Sequence, residues 1–164
     1  NVFEYLIKNY PNVTNDKEYL LTIYRNHIPQ ISLNEEVKVF LRHVEVKKYK
    51  KGLLTDGRSV TQRNKILSLG LSKYFDLIVI SEEFGSEKPS VENYRAFECL
   101  SKSARFIYVG DNPSKDFVAP NSLGWLTVCV KDNGRNIHKQ DFTLPDKFLP
   151  KVIVRDFSEL MQFA

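Results

Sequence analysis

The 164 residues, 42% hydrophobic and 27% charged with a formal net charge of +4, suffice for one domain with a substantial core and little beyond a small appendage. Apolar runs such as Leu77–Ile80 and Leu126–Val130 are far too short to cross a bilayer, and no secretory leader opens the chain. The basic residues are dispersed, apart from Lys47, Lys48, Lys50 and Lys51, and carry no aromatic-plus-basic motif, so neither a membrane nor a nucleic acid is an expected partner and a cytoplasmic location is expected.

The chain opens at Asn1 rather than a methionine, with Val2, Phe3, Leu6, Ile7 and Tyr10 already at helical spacing, which predicts a natural start further upstream. Asn15 and Glu18 have capping-box spacing ahead of Leu20, Leu21, Tyr24 and Ile28, predicting a second helix that stops at Pro29. Ser32 and Glu35 repeat that spacing before Val37, Phe40, Leu41 and Val44, predicting a third helix that runs into the lysine cluster.

Beyond the lysines the period changes. Gly52, Leu53 and Leu54 form a short apolar run ended by the turn residues Thr55, Asp56 and Gly57, and residues 60–69 have helical spacing closed by Gly70. Strands are then expected at Leu77–Ile80, 106–109, Leu126–Val130 and Val152–Val154, with helices at 90–100, after Ser114 and at 157–163. Strands that are apolar throughout and alternate with helices predict an α/β fold, a Rossmann-like parallel sheet covered on both faces. Residues 132–150 are polar and proline-bearing, and read as an excursion.

Ligands of open parallel sheets bind at the carboxyl ends of the strands. Three such ends stand out: Thr55-Asp56-Gly57, Ser81 through Lys88-Pro89, and Gly110-Asp111-Asn112 through Asp116. A hydroxyl and turn amides can hold phosphoryl oxygens and a lysine can neutralise them, so Thr55, Asp56, Gly57 and Lys88 are candidate phosphate-binding residues. Two carboxylates in one loop repel unless a cation lies between them, and magnesium takes one or two carboxylates plus phosphate oxygens, so Asp111 and Asp116 are candidate metal ligands.

In order and spacing, Thr55-Asp56-Gly57, Lys88-Pro89 and Gly110-Asp111 through Asp116 resemble the second, third and fourth motifs of haloacid dehalogenase-like hydrolases. Gln62, Lys65 and residues 119–125 add to the resemblance, which covers nearly the whole chain. It implies that Thr55 binds the phosphoryl group, that Lys88 stabilises the charge of nucleophile and phosphate, and that Asp111 and Asp116 hold Mg2+, with Asn112 assisting. It also implies a helical cap, residues 1–47, ahead of an α/β core at 48–164, and a phosphatase acting on a small phosphorylated metabolite through an aspartyl phosphate.

The sequence departs from the family at one point. The nucleophile of the family is the first aspartate of an Asp-x-Asp motif on a strand before the cap, whereas residues 1–54 contain only Asp16, at a helix start where it suits the helix dipole. The absent strand would lie at the sheet centre, between the strands ending at Thr55 and Val109. The expectation is a longer parent protein, or self-association through exposed sheet edges. A non-catalytic phosphate- and metal-binding module and a haloacid dehalogenase are the rival readings; the acidic pair weighs against the dehalogenase. His27, His43 and His138 match no catalytic or metal motif, Cys99 and Cys129 read as buried thiols, and Trp125 reads as packing.

Overall fold

A computed structural model describes residues 2–12, 16–101 and 105–163. Helices α1 (Val2–Asn9) and α2 (Lys17–Asn26) form an N-terminal pair in which no residue is fully buried. They are joined by Lys17 Nζ to Glu4 Oε1 at 2.8 Å and by an edge-on contact of Phe3 with Tyr24. The box expected at Asn15 lies outside the described residues; Asp16 caps α2, its Oδ1 accepting from the backbone N–H groups of Glu18 and Tyr19.

Helix α3 (Glu35–Val46) is capped at Asn34 with no side-chain bond, so the Ser32–Glu35 box does not form. The carboxylate of Glu35 is engaged by Lys38 at 2.6 Å rather than reaching back. On the inner side of α3, Leu41 and Val44 are buried.

The α/β unit follows as β1 (Gly52–Thr55), α4 (Ser59–Ser68), β2 (Leu77–Ile80), α5 (Ser81–Phe84), α6 (Val91–Arg95), β3 (Ile107–Gly110), α7 (Pro113–Asp116), α8 (Val118–Ser122), β4 (Leu126–Val130), β5 (Val152–Val154) and α9 (Phe157–Leu160). Gly70 takes φ 61° after α4, the left-handed stop expected of it. All pairing is parallel, but the strands form two sheets, β1-β2 and β3-β4-β5. Among the described residues β1 and β3 each pair on one side alone.

Two cores lie on opposite faces. Val79, Tyr94, Phe97, Ala119 and Trp125 form one, with Leu54 and Tyr108 packed against it. Val128, Val154 and Leu160 form the other, with Phe40 of α3, Val109 and Phe157. Adjacent Tyr108 and Val109 thus point to different cores, as the period of two in a strand requires. Trp125 stacks on Phe106 at 4.6 Å, a packing role as expected. Because Phe40 meets Phe157 edge-on and Leu41 and Val44 are buried, α3 packs with the α/β unit. The α1–α2 pair is held more lightly, through Thr61 Oγ1 donating to Arg25 O and Asn64 Nδ2 donating to Asn26 O and His27 O.

Two further expectations need correction. The helix expected at 90–100 is regular only over α6; residues 96–100 tighten into a 3₁₀ turn that carries Phe97 into the first core. In that turn Phe97 faces inward, Glu98 and Cys99 face outward, and Cys99 is exposed rather than buried; Cys129 is buried. No helix among the described residues is long and apolar enough to cross a membrane.

Candidate functional site

Every residue expected at the site lies at the carboxyl end of β1 or β3 or in the loops and short helices that follow β1, β2 and β3. Thr55 ends β1, and its hydroxyl donates to Gln62 Oε1 at 3.2 Å while Gln62 Nε2 donates to Asp56 O at 3.1 Å. The first turn of α4 thereby fixes the Thr55-Asp56-Gly57 turn. Gly57 N donates to Ser81 Oγ at 2.9 Å, which joins that turn to the end of β2. A second tie runs from Ser59 N to Glu82 Oε2 at 2.7 Å, and Arg63 grips Glu83 through two nitrogens. Hydrogen bonds from Arg63 and then Ser59 hold the Glu83 carboxyl down to about 2.

The Asp56 side chain binds protein. Its Oδ1 accepts from Lys88 N at 3.0 Å, and Oδ2 lies 3.8 Å from Lys115 Nζ. The Lys88–Pro89 peptide is cis. The side chain of Lys88 is 16% exposed, and its ammonium donates to Asp116 Oδ1 at 2.8 Å.

Asp116 is 1% exposed and is the hub of the site. Its Oδ1 also accepts from Tyr108 OH at 3.2 Å, and Oδ2 accepts from Asp111 N at 3.1 Å and Asn112 N at 2.9 Å. Four donors thus satisfy a carboxylate that is cut off from water. Gly110 makes room for it: a Cβ there would stand 2.6 Å from Asp116 Oδ2 and 2.9 Å from Asp116 Cβ.

Asp111 lies on the exposed side of the same loop. Loss of solvent around its carboxyl and then the neighbouring Asp116 carboxylate raise its pKa, opposed by Lys88 and His138. A divalent cation beside Asp111 would relieve that repulsion, so the pair suits a cation, with Asp111 offering the free carboxylate. Asn112 Oδ1 caps α7 by accepting from Ser114 N and Oγ. Among the described residues no group of three or more His, Cys, Asp or Glu side chains could by itself enclose a metal. Cys129, beneath the loop, has its thiol pushed up to about 12 by burial and then by Asp111 and Asp116, which leaves it protonated and no nucleophile.

The strand-end pattern points to Thr55, Asp56, Gly57, Lys88, Asp111, Asn112 and Asp116; the fold adds bonds from Ser81, Tyr108 and Gln140 to the same loops. Gln140, in the 132–150 excursion, donates through Nε2 to Asp111 O at 2.9 Å and Val130 O at 2.8 Å. Ser81 closes the apolar run of β2, a position open to inspection; no local signal marks Tyr108 or Gln140.

The chain is similar to known phosphatases. Over 83 residues the chain is 37% identical to a glyceraldehyde 3-phosphate phosphatase of Methanocaldococcus jannaschii, covering 49% of this chain and 36% of that protein. Over 100 residues it is 36% identical to a phosphoserine phosphatase of Thermus thermophilus, covering 60% and 40%. The crystal structure of a HAD phosphatase from Thermococcus onnurineus superposes with a TM-score of 0.65 at 24% identity, over 80% of this chain and 57% of that one. The chain thus spans about half or less of the length of these curated relatives. The family model described as haloacid dehalogenase-like hydrolase matches residues 1–130, most of the chain and all three loops of the site. A parallel α/β unit with these three strand-end loops, and that match, place the chain in the haloacid dehalogenase-like hydrolase family.

Proposed function

We propose that the protein is a magnesium-dependent phosphohydrolase that cleaves a small phosphorylated metabolite through an aspartyl phosphate. The observation that carries this reading is the Lys88–Asp116 pair, which holds one ammonium where the loops after β1, β2 and β3 are tied together, Lys88 N to Asp56 and Lys88 Nζ to Asp116, within electrostatic reach of the Asp111 carboxyl. The phosphatase names of the relatives support the reaction class.

In this reading Thr55 turns its hydroxyl proton from Gln62 to a phosphoryl oxygen, and the Lys88 ammonium takes a second oxygen. Asp56, its carboxylate engaged by Lys88 N and facing Lys115, contributes backbone and position rather than a direct side-chain contact. Asp111 holds the cation and Asp116 keeps the loop and Lys88 in register. Bound magnesium would offset charge that builds on the phosphoryl oxygens. Charge count supports the need for it. Lys88 and Lys115 face Asp56, Asp111 and Asp116, a surplus of one negative charge before a phosphoryl group adds about −1.5 to −2.

The attacking aspartate belongs, in this proposal, to a strand outside these 164 residues, seated between β1 and β3. The one-sided pairing of both strands supports that placement. The cap reading is kept for α1 and α2, since α3 packs with the core. Hydrolysis of an aryl phosphate by this chain, and by a version carrying an upstream Asp-x-Asp strand, tests the proposal. Magnesium-dependent turnover by the longer protein is the expected result. Magnesium and phosphate binding without turnover in both would favour a non-catalytic binding module, which the lack of an Asp-x-Asp motif in residues 1–54 would also fit.

A further inference from the structure

Asn93 is 0% exposed, an amide side chain next in sequence to Tyr94 of the first core. A buried amide is held by its hydrogen bonds, and both ends of this one engage a single residue. Its Nδ2 donates to Ser86 O at 3.1 Å, and its Oδ1 accepts from Ser86 Oγ at 2.5 Å. Ser86 stands two residues before Lys88, in the segment that joins α5 to α6.

The next residue, Tyr94, is also 0% exposed, and its hydroxyl donates to Asp116 O at 3.1 Å. Two consecutive residues of one short helix therefore grip the two loops whose own link is Lys88 Nζ to Asp116 Oδ1. The ring runs from Asn93 through Ser86 and Lys88 to Asp116 and back through Tyr94. A leucine would fill the space of Asn93 equally well, and burial would favour it. What leucine lacks is the means to fix the Ser86 backbone.

We propose that Asn93 is a positioning residue for Lys88: through Ser86 it sets the backbone from which the Lys88 ammonium reaches Asp116 and the phosphoryl site. The phosphoryl half rests on the phosphatase reading above; the placement of Lys88 does not. Residue-resolved acetylation by a small amine-reactive reagent tests it, with Lys38 and Lys147 as reference sites, with and without inorganic phosphate and magnesium.

Asn93→Leu leaves Ser86 with unpartnered polar atoms and can unfold the protein. The Ser86→Ala/Asn93→Leu double variant, which removes both side-chain partners and is milder for stability, keeps the test open. In the folded double variant Lys88 should label about tenfold faster than in the parent, the factor for one lost hydrogen bond of ordinary strength, with the reference lysines unchanged. Protection of Lys88 by phosphate, present in the parent, should be lost. Equal Lys88 labelling in the parent and the folded double variant would overturn the proposal. If phosphate fails to protect Lys88 even in the parent while the variant still labels faster, the phosphatase reading falls and the placement of Lys88 by Asn93 stands.

Discussion

Replacing Lys88 with methionine removes one of four donors to a carboxylate that is 1% exposed, while the apolar stem is approximately kept. Removing one partner of a buried ion pair costs about 3–5 kcal/mol, because the other charge is left uncompensated. Asp116 would retain Tyr108 OH, Asp111 N and Asn112 N, which puts the cost at the lower end, about 3 kcal/mol. For a chain of this size each 1 kcal/mol moves Tm by about 2–4 °C, so Lys88→Met should lower it by about 6–12 °C. The Lys88→Met/Asp116→Asn double variant loses both charges but keeps an acceptor, and should recover more than half of the loss. Thermal unfolding followed by circular dichroism, run on both single variants and the double, closes the cycle. A Lys88→Met protein within about 1 kcal/mol of the parent would show that the pair behaves like an exposed one and refute the reasoning.

Three further predictions follow from the same loops. Gly110→Ala drives a methyl into Asp116, should cost about 1–3 kcal/mol by overpacking, and is checked by urea unfolding. Ser81→Ala leaves Gly57 N without its acceptor and should lower stability by about 1 kcal/mol and weaken inorganic phosphate binding, read by calorimetry. The Glu83 carboxyl is held down to about 2 from its ordinary 4.5, so its contribution to stability is present above about 4.5 and lost as pH falls toward 2; Glu83→Gln should flatten the acid limb of stability between those values, measured by unfolding at pH 2–7.

The sequence shows the strands well where β-branched and other apolar residues run unbroken between turn residues: Leu77–Ile80, Leu126–Val130 and Val152–Val154 form with the expected bounds. Helix α5 is not legible because four residues carry no periodicity, and the helix expected at 90–100 is right in place but not in its second half, because a helical face and a 3₁₀ face diverge by less than a turn there. That Thr55, Lys88, Asp111 and Asp116 follow strand ends is legible because the apolar runs before them are, and the structure joins Lys88 to Asp116 and Asp111 to Asp116. Ser81 and Tyr94 act on residues 24 and 22 positions away, and Gln140 on one 29 away; such pairings exist only in the folded chain. Asn93 was hidden for a different reason, since a polar residue on a helix reads as solvated until its burial is seen.

Asp111 and Asp116 look equivalent in the sequence, two carboxylates in one loop, and the structure separates them. Each oxygen of Asp116 already accepts two hydrogen bonds, so a cation that took either one would have to displace Lys88, Tyr108 or a loop N–H. Asp111 has its carboxyl on the exposed side of the loop and its backbone fixed by Asp116 and Gln140. On the proposed reading Asp111 is then the direct ligand and Asp116 the residue that aims both Asp111 and Lys88. One carboxylate, phosphate oxygens and water make an incomplete shell for a cation that must also organise a nucleophile. On the proposed reading one upstream strand would supply both the further carboxylate that the shell calls for and a pairing partner for β1 and β3, each of which pairs on one side alone among the described residues.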